Sequence, residues 1–268
     1  MDGMVATGSE KMLARKAGGV GWMTFNNPER HNAVSMEMWQ AAERILADFI
    51  ADEAVRVVVV NGAGGKAFVS GADISKFESE RSGEEAVAAY QAQTAKVYDR
   101  LADCPKPTIA MIQGHCIGGG TALAVCCDIR ICGDTASFGV PAAKLGLGYP
   151  LAGIRRLVDL VGPSFAKEIF FTAKKWSAEE ARIMGLVNRV VPNDALEATV
   201  LDYAETIAGN APLTVGSVKT IVREALKDRG AADEALCDRL VKACFASQDY
   251  IEGRRAFMEK RKPAFQGR

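Results

Sequence analysis

Along this chain the spacing of apolar residues switches repeatedly between a period of two and a period of three to four. KMLARKAGGVGWMTFNN places two short β-type runs around a Gly-Gly turn and predicts strands over 11–16 and 20–26. SMEMWQAAERILADFIAD has the stripe of an amphipathic helix, with Ser35 placed as its N-cap. VRVVVVNG is an almost unbroken β-branched run, the pattern of a strand covered on both faces. A helix opened by a Ser82/Glu85 capping box follows, then the strand PTIAMIQG and the segment GHCIGGGTALAVCCD, in which three glycines run into a helical pattern. DIRICGD and VNRVV predict two more strands, with a second capping box, Ser177/Glu180, in SAEEARIMG between them. From Asp194 onward nearly everything reads as helix. The expected organisation is a flexible N-terminus (1–10), a strand-rich core (11–192) and a C-terminal helical region (193–268), an α/β architecture.

Charge and cysteine content narrow the function classes. The 268 residues carry 33 basic and 33 acidic side chains, so no net field draws nucleic acid or an anionic membrane. Seven cysteines, odd in number and set mostly in apolar runs, fit reduced, buried thiols of a cytoplasmic protein. The opening MDGMVATGSEK has neither the charged nor the apolar region of a secretory signal, and no apolar stretch reaches membrane length. His31 and His115 are the only histidines, without HExxH or paired Cys-x-x-Cys spacing, so no metal is expected. A packed turn histidine is favoured over a His115/Cys116 catalytic pair, and core packing over a nucleophile at Cys126 and Cys127. GAGGKAF lacks the spacing of a P-loop and GGVG that of a dinucleotide-binding turn.

Two glycine-bearing loops follow buried strands, NGAGGKAFVSGADIS and QGHCIGGGTAL, where open α/β sheets commonly place ligands. The first N–H groups of a helix have no intrahelical acceptor. Gly118 to Gly120 could therefore aim bare donors at an anion, or simply make a tight strand-to-helix turn with close backbone packing.

Five segments in register, NNPERHNAVS, KAFVSGADISKF, GHCIGGGTALAVCCDIRI, ASFGVPAAKLGLGYP and EGRRAFMEKRKPAF, resemble the enoyl-CoA hydratase/isomerase (crotonase) family, from about Ala14 to Phe265. The resemblance implies a spiral of ββα turns, a C-terminal helical trimerisation region and a homotrimer or hexamer. It implies an acyl-CoA thioester substrate whose oxygen is held by the peptide N–H groups of Ala72 and Gly119, with CoA as part of the substrate and no separate cofactor. For CoA itself it points to Arg30, Ala33, Ser70, Gly71, Asp73, Ile74, Ser75 and Pro141, and to Lys260, often supplied across a subunit boundary. Asn32 and Asp73 equally suit turn or cap roles, and RRAFMEKRK equally reads as a solvated helix end.

The sequence departs from the family's hydratases at one pair of positions. The two glutamates that activate water there correspond to Ala122 and Ala142, and a methyl group moves no proton. The segment around Tyr149 is similar to the methylmalonyl-CoA decarboxylase branch, which also lacks the glutamates and has a tyrosine at that position. Three expectations follow. First is decarboxylation of a malonyl- or methylmalonyl-type CoA ester with Tyr149 at the site. Enoyl-CoA hydratase/isomerase activity is the second, and CoA-thioester binding without turnover the third.

Overall fold

From residue 57 to residue 139 the chain deals its strands alternately into two sheets. The computed structural model describes residues 3–73, 83–228 and 230–268. One sheet contains β1 (Gly3–Val5), β2 (Met12–Ala17), β3 (Val20–Phe25), β4 (Val57–Gly62), β6 (Thr108–Ile112), β8 (Ile129–Gly133) and β11 (Arg189–Val191), in that order. The other runs β10 (Trp176–Ser177), β9 (Ser137–Gly139), β7 (His115–Ile117), β5 (Ala67–Val69). β1 and β2, β2 and β3, and β10 and β9 pair antiparallel; the remaining neighbours are parallel. The helices are α1 (Met36–Ala51), α2 (Glu84–Ala102), α3 (Gly119–Ala124), α4 (Leu151–Thr172), α5 (Ala178–Ile183), α6 (Leu196–Gly209), α7 (Pro212–Ala225), α8 (Glu234–Ala246) and α9 (Gln248–Glu259). Three consecutive units, β4-β5-α2, β6-β7-α3 and β8-β9-α4, each place one strand in either sheet. That is the spiral of ββα turns, and the α/β class holds.

The β4 run is apolar throughout because the large sheet is covered twice. Val58 and Val60 pack with α1 residues such as Met38, Ile45 and Phe49, whereas Val57 and Val59 meet Leu196, Val200 and Ala204 of α6. Gly18 and Gly19, at φ 57° and 83°, make the two-residue reversal between β2 and β3. The Ser177/Glu180 capping box forms as expected: the Glu180 N–H donates to Ser177 Oγ, and the Ser177 N–H donates to the Glu180 carboxylate.

Several expectations change. Residues 3–5 are not a loose terminus but edge strand β1, paired Gly3 to Lys16 through Val5 to Ala14; backbone pairing of a short edge strand needs little apolar pattern. The division after residue 192 cuts through the packing, since α6 seals one face of the sheet. Ser35 occupies the N-cap of α1, yet its buried Oγ has no hydrogen-bond partner. Ser82 of the other capping box lies outside the described residues, and Gly83 is the N-cap of α2. No helix among the described residues is long and apolar enough to cross a membrane.

Candidate active site

Two peptide groups, one from each glycine-bearing loop, lie close together where β5 runs out and α3 begins. In the first loop, Val34 pairs with Ala72 as a parallel bridge: the Val34 N–H donates to Gly71 O (2.8 Å) and Val34 O accepts from the Asp73 N–H (3.0 Å). The Gly71–Ala72 peptide is trans, so a carbonyl held by Val34 sends the Ala72 N–H to the other side. In the second loop, Gly118 O accepts from the Ala122 N–H (3.0 Å), and the same geometry turns the Gly119 N–H outward. Among the described residues neither N–H has a backbone acceptor. The loops touch: a Cβ on Gly71 would lie 3.6 Å from the Gly119 nitrogen, and one on Gly119 would lie 3.5 Å from Gly71 Cα. Two N–H groups without a backbone acceptor, on loops in contact, are the kind of donors that a hole for an oxyanion requires.

Each glycine of the triplet answers a different demand. Gly118 adopts φ 56° and ψ −111°, a conformation that L side chains rarely take. A Cβ on Gly120 would lie 1.9 Å from the carbonyl oxygen of Val69, so α3 and β5 approach only because that atom is absent. Gly119 meets the mouth of the site itself. Close packing, one of the two roles weighed in the sequence, is thus present at Gly120. The far end of α3 is closed by Arg130 of β8, which is 2% exposed and donates from Nε to Leu186 O (2.7 Å) and from its guanidinium to Cys127 O (2.5 Å).

Around this hole the side chains are aromatic or small. Tyr98 of α2 donates its hydroxyl to Gly119 O (3.1 Å). Burial, with Tyr149 and Cys126 adding, pushes its pKa well above the ordinary phenol range. Tyr149 sits edge-on to Phe170 at 4.8 Å and lies beside Tyr98 and Cys126. Burial lifts its pKa to about 12, and among the described residues its hydroxyl takes no hydrogen-bond partner. Ala142, buried in the short turn Pro141–Lys144, and half-buried Ala122 put methyl groups where carboxylates were expected of a hydratase. Tyr98 was not singled out by sequence reasoning. Its spacing of eight from Tyr90, on a helix otherwise rich in Ala and Gln, was the available signal.

The residues expected to bind CoA are brought together in part. Arg30 and Ala33 belong to the turn that Ser70 joins, with the Ser70 N–H donating to His31 O (3.1 Å) and the Ala33 N–H to Arg30 O (3.0 Å). Asp73 is buried, with its carboxylate 3.7 Å from the Arg30 guanidinium. Pro141 lies against Gly118, whose Cβ would be 3.8 Å from Pro141 Cδ. Ile74 and Ser75 lie outside the described residues. Lys260 caps α9 in a left-handed conformation, its backbone N–H bonds back within that helix, and among the described residues no hydrogen bond or ion pair joins it to these loops. Asn32 is a turn residue: fully buried, it accepts from the Asn27 N–H and donates to Ala63 O and Ala67 O. His115 shares a hydrogen bond with Ser137 Oγ (2.7 Å), and desolvation lowers its pKa. Desolvation pushes the Cys116, Cys126 and Cys127 thiols far up, away from nucleophilic thiolate character. Among the described residues no three His, Cys, Asp or Glu side chains are grouped to share a metal ion.

Known proteins share both sequence and shape with this chain. The sequence profile of the family described as enoyl-CoA hydratase/isomerase matches residues 15–268. A short-chain-enoyl-CoA hydratase of Clostridium acetobutylicum is 34% identical over 251 residues, covering 94% of this chain and 95% of the relative. A crotonyl-CoA hydratase of Syntrophomonas wolfei is 36% identical over 259 residues, covering 96% and 98%. The crystal structure of an enoyl-CoA hydratase/carnithine racemase from Magnetospirillum magneticum superposes with a TM-score of 0.92 at 36% identity, covering 97% of both chains. With a family profile matched from residue 15 to 268 and relatives similar along nearly its whole length, the chain belongs to the enoyl-CoA hydratase/isomerase (crotonase) family.

Proposed function

We propose that this protein turns over an acyl-CoA thioester by collecting the negative charge of its enolate on the Ala72 and Gly119 N–H groups. The observation that carries this reading is the pair of donors whose own peptide carbonyls are anchored elsewhere, by Val34 and by Ala122. Arg30, Ala33, Ser70, Gly71, Asp73, Ile74, Ser75 and Pro141 are assigned to the CoA side of the pocket. CoA is part of the substrate, and no separate cofactor is assigned. The names of the relatives support a short 2-enoyl-CoA as substrate, with hydration or isomerisation as the reaction; this reading stands first. Decarboxylation of a malonyl- or methylmalonyl-type ester is the second, favoured by the methyl groups at 122 and 142 beside a neutral phenol at Tyr149. Loss of carbon dioxide generates the enolate without a base, whereas water addition needs a group that moves protons.

Product analysis by mass spectrometry with crotonyl-, malonyl- and methylmalonyl-CoA separates the readings. A 3-hydroxyacyl or double-bond-shifted product supports the first, a decarboxylated acyl-CoA the second, and binding without any product removes the enzyme reading. In either reaction Tyr149→Phe keeps the ring against Phe170 and removes a hydroxyl that, among the described residues, has no hydrogen-bond partner and is proposed to deliver a proton. We expect kcat to fall by about 100-fold, the lower range for a general acid, with KM little changed. The raised pKa adds a pH signature. The neutral phenol persists through pH 10, so activity should not titrate there and should fall only as pH approaches 12. Its contribution to stability is fully present below the ordinary phenol pKa of about 10 and is lost as pH rises through 12.

We also propose a homotrimer or hexamer. Phe257 and Met258 of α9 are 83% and 81% exposed, and with Phe245 and Tyr250 they flank a groove of about 890 Å³. Apolar exposure on that scale is normally covered by a partner, and a second subunit would bring Lys260 within reach of CoA. Light scattering at micromolar concentration should give a trimeric or hexameric mass; a monomeric mass rejects the assembly.

A further inference from the structure

Glycines at 118, 119 and 120 leave the second donor loop without Cβ atoms to limit its φ and ψ, so its alignment has to come from hydrogen bonds. The peptide before the donor is held where the Gly118 N–H meets Gly139 O (2.8 Å), and the donor peptide itself by the Ala122 N–H on Gly118 O. The peptide after it opens α3, and the Tyr98 hydroxyl of α2 adds a bond from outside that helix, on Gly119 O at 3.1 Å. Two turns earlier on α2, the Tyr90 hydroxyl donates to Val34 O at 3.3 Å. Val34 is the residue that fixes both sides of Ala72 in the first loop. Trp39 of α1, 1% exposed, ties the two tyrosines together: its Nε1–H donates to the Tyr90 oxygen (2.9 Å), and its ring meets Tyr98 edge-on at 5.4 Å. Neither tyrosine hydroxyl is assigned to substrate in the mechanism above.

We infer that α2 aligns the two halves of the oxyanion hole against each other, with Tyr98 as the positioning residue for the Gly119 donor and Tyr90 for the Ala72 donor. This rests on the enolate reading of the preceding subsection. Both loops bond to side chains of one helix: the Tyr98 ring packs edge-on against buried Trp39, and the Tyr90 oxygen accepts from the Trp39 Nε1–H. Two positions roughly 12 Å apart on that helix, eight residues at 1.5 Å rise, thus reach both loops and add to the direct contact between α3 and β5 at Gly120. An oxyanion hole has to be held to within about 0.5 Å to act, and a 1 Å misplacement can cost about 100-fold in rate.

The test is isotope-edited infrared spectroscopy of unreactive butyryl-CoA, labelled with ¹³C at the thioester carbonyl and bound to the full-length protein. Two N–H donors on the carbonyl should lower its stretching frequency on binding to wild type. Tyr98→Phe keeps the ring on Trp39 and loses only the hydroxyl. We expect a clearly smaller frequency shift, a kcat about 10-fold lower on the best substrate, a KM within a factor of two and an unchanged fold by circular dichroism. Tyr90→Phe provides the same reading on the other donor and keeps the test open if the first variant fails to fold. A wild-type shift that both folded variants retain in full, with unaltered kcat, overturns the positioning role while leaving the oxyanion hole intact. Absence of any shift in wild type overturns the hole itself, and with it this inference.

Discussion

Gly119→Pro should lower turnover by at least about 100-fold on the best substrate, the loss that follows removal of one oxyanion donor. The position suits the experiment. Gly119 is the first residue of α3, where proline is well tolerated because its missing N–H has no intrahelical acceptor to begin with. The fold should survive, and circular dichroism and thermal unfolding would show it. Gly119→Ala is the matched control. It retains the N–H and adds a Cβ 3.3 Å from the Tyr98 oxygen and 3.5 Å from Gly71 Cα, contacts that small shifts relieve. A folded proline variant with full activity would reduce Gly119 to a turn residue and remove the enolate reading.

One residue further on the cost should move from rate to folding. Gly120→Ala would set its Cβ 1.9 Å from Val69 O and 2.8 Å from Val69 C, backbone atoms that have no rotamer to retreat into. Relief requires α3 and β5 to separate, and β5 leads directly into Gly71 and Ala72. Overpacking in a core typically costs 1–3 kcal/mol; against backbone on both sides we expect about 3 kcal/mol or more, a melting temperature lower by roughly 6–12 °C. Activity should fall with it because the donors move apart. A Gly120→Ala protein as stable as the parent would mean that the loops are not packed as described. Adjacent glycines in one triplet thus separate by readout: position 119 by turnover at constant stability, position 120 by stability first.

How far the sequence revealed all this follows from element length. β3, β4, β6 and β8 are five or six residues long and carry β-branched or alternating runs, so their period was visible. The second sheet was not, because its strands are the three-residue pieces AFV, HCI and SFG and the pair WS, too short to establish any period. They read as loops around glycines, and one of those glycines shows why: a Cβ on Gly114 would fall 2.0 Å from Lys66 O, an approach between neighbouring segments that no local pattern encodes. The site divides in a similar way. Ala72 and Gly119 are proposed to act through backbone N–H groups, which every residue but proline possesses, so the resemblance of whole segments pointed to them where side-chain chemistry could not. Tyr98 escaped attention because its partner is a carbonyl in another element, and its meaning depends on where α2 lies across α3. Ala122 and Ala142 were legible as missing acids, and their surroundings are a phenol and buried thiols in place of a second carboxylate.

Arg130 adds an electrostatic consequence. Its guanidinium, permanently charged and surrounded by carbonyl oxygens, occupies the end of α3 opposite the donors. An enolate held at Gly119, as proposed, would have a buried countercharge on the far side of one short helix, on the order of 10 Å away by helical rise. At an effective dielectric of about 20, a unit pair at that distance attracts by roughly 1–2 kcal/mol. The attraction runs through protein and not through solvent, so mobile ions screen it weakly, and the enolate keeps this distant cation at ionic strengths that erase surface charge pairs.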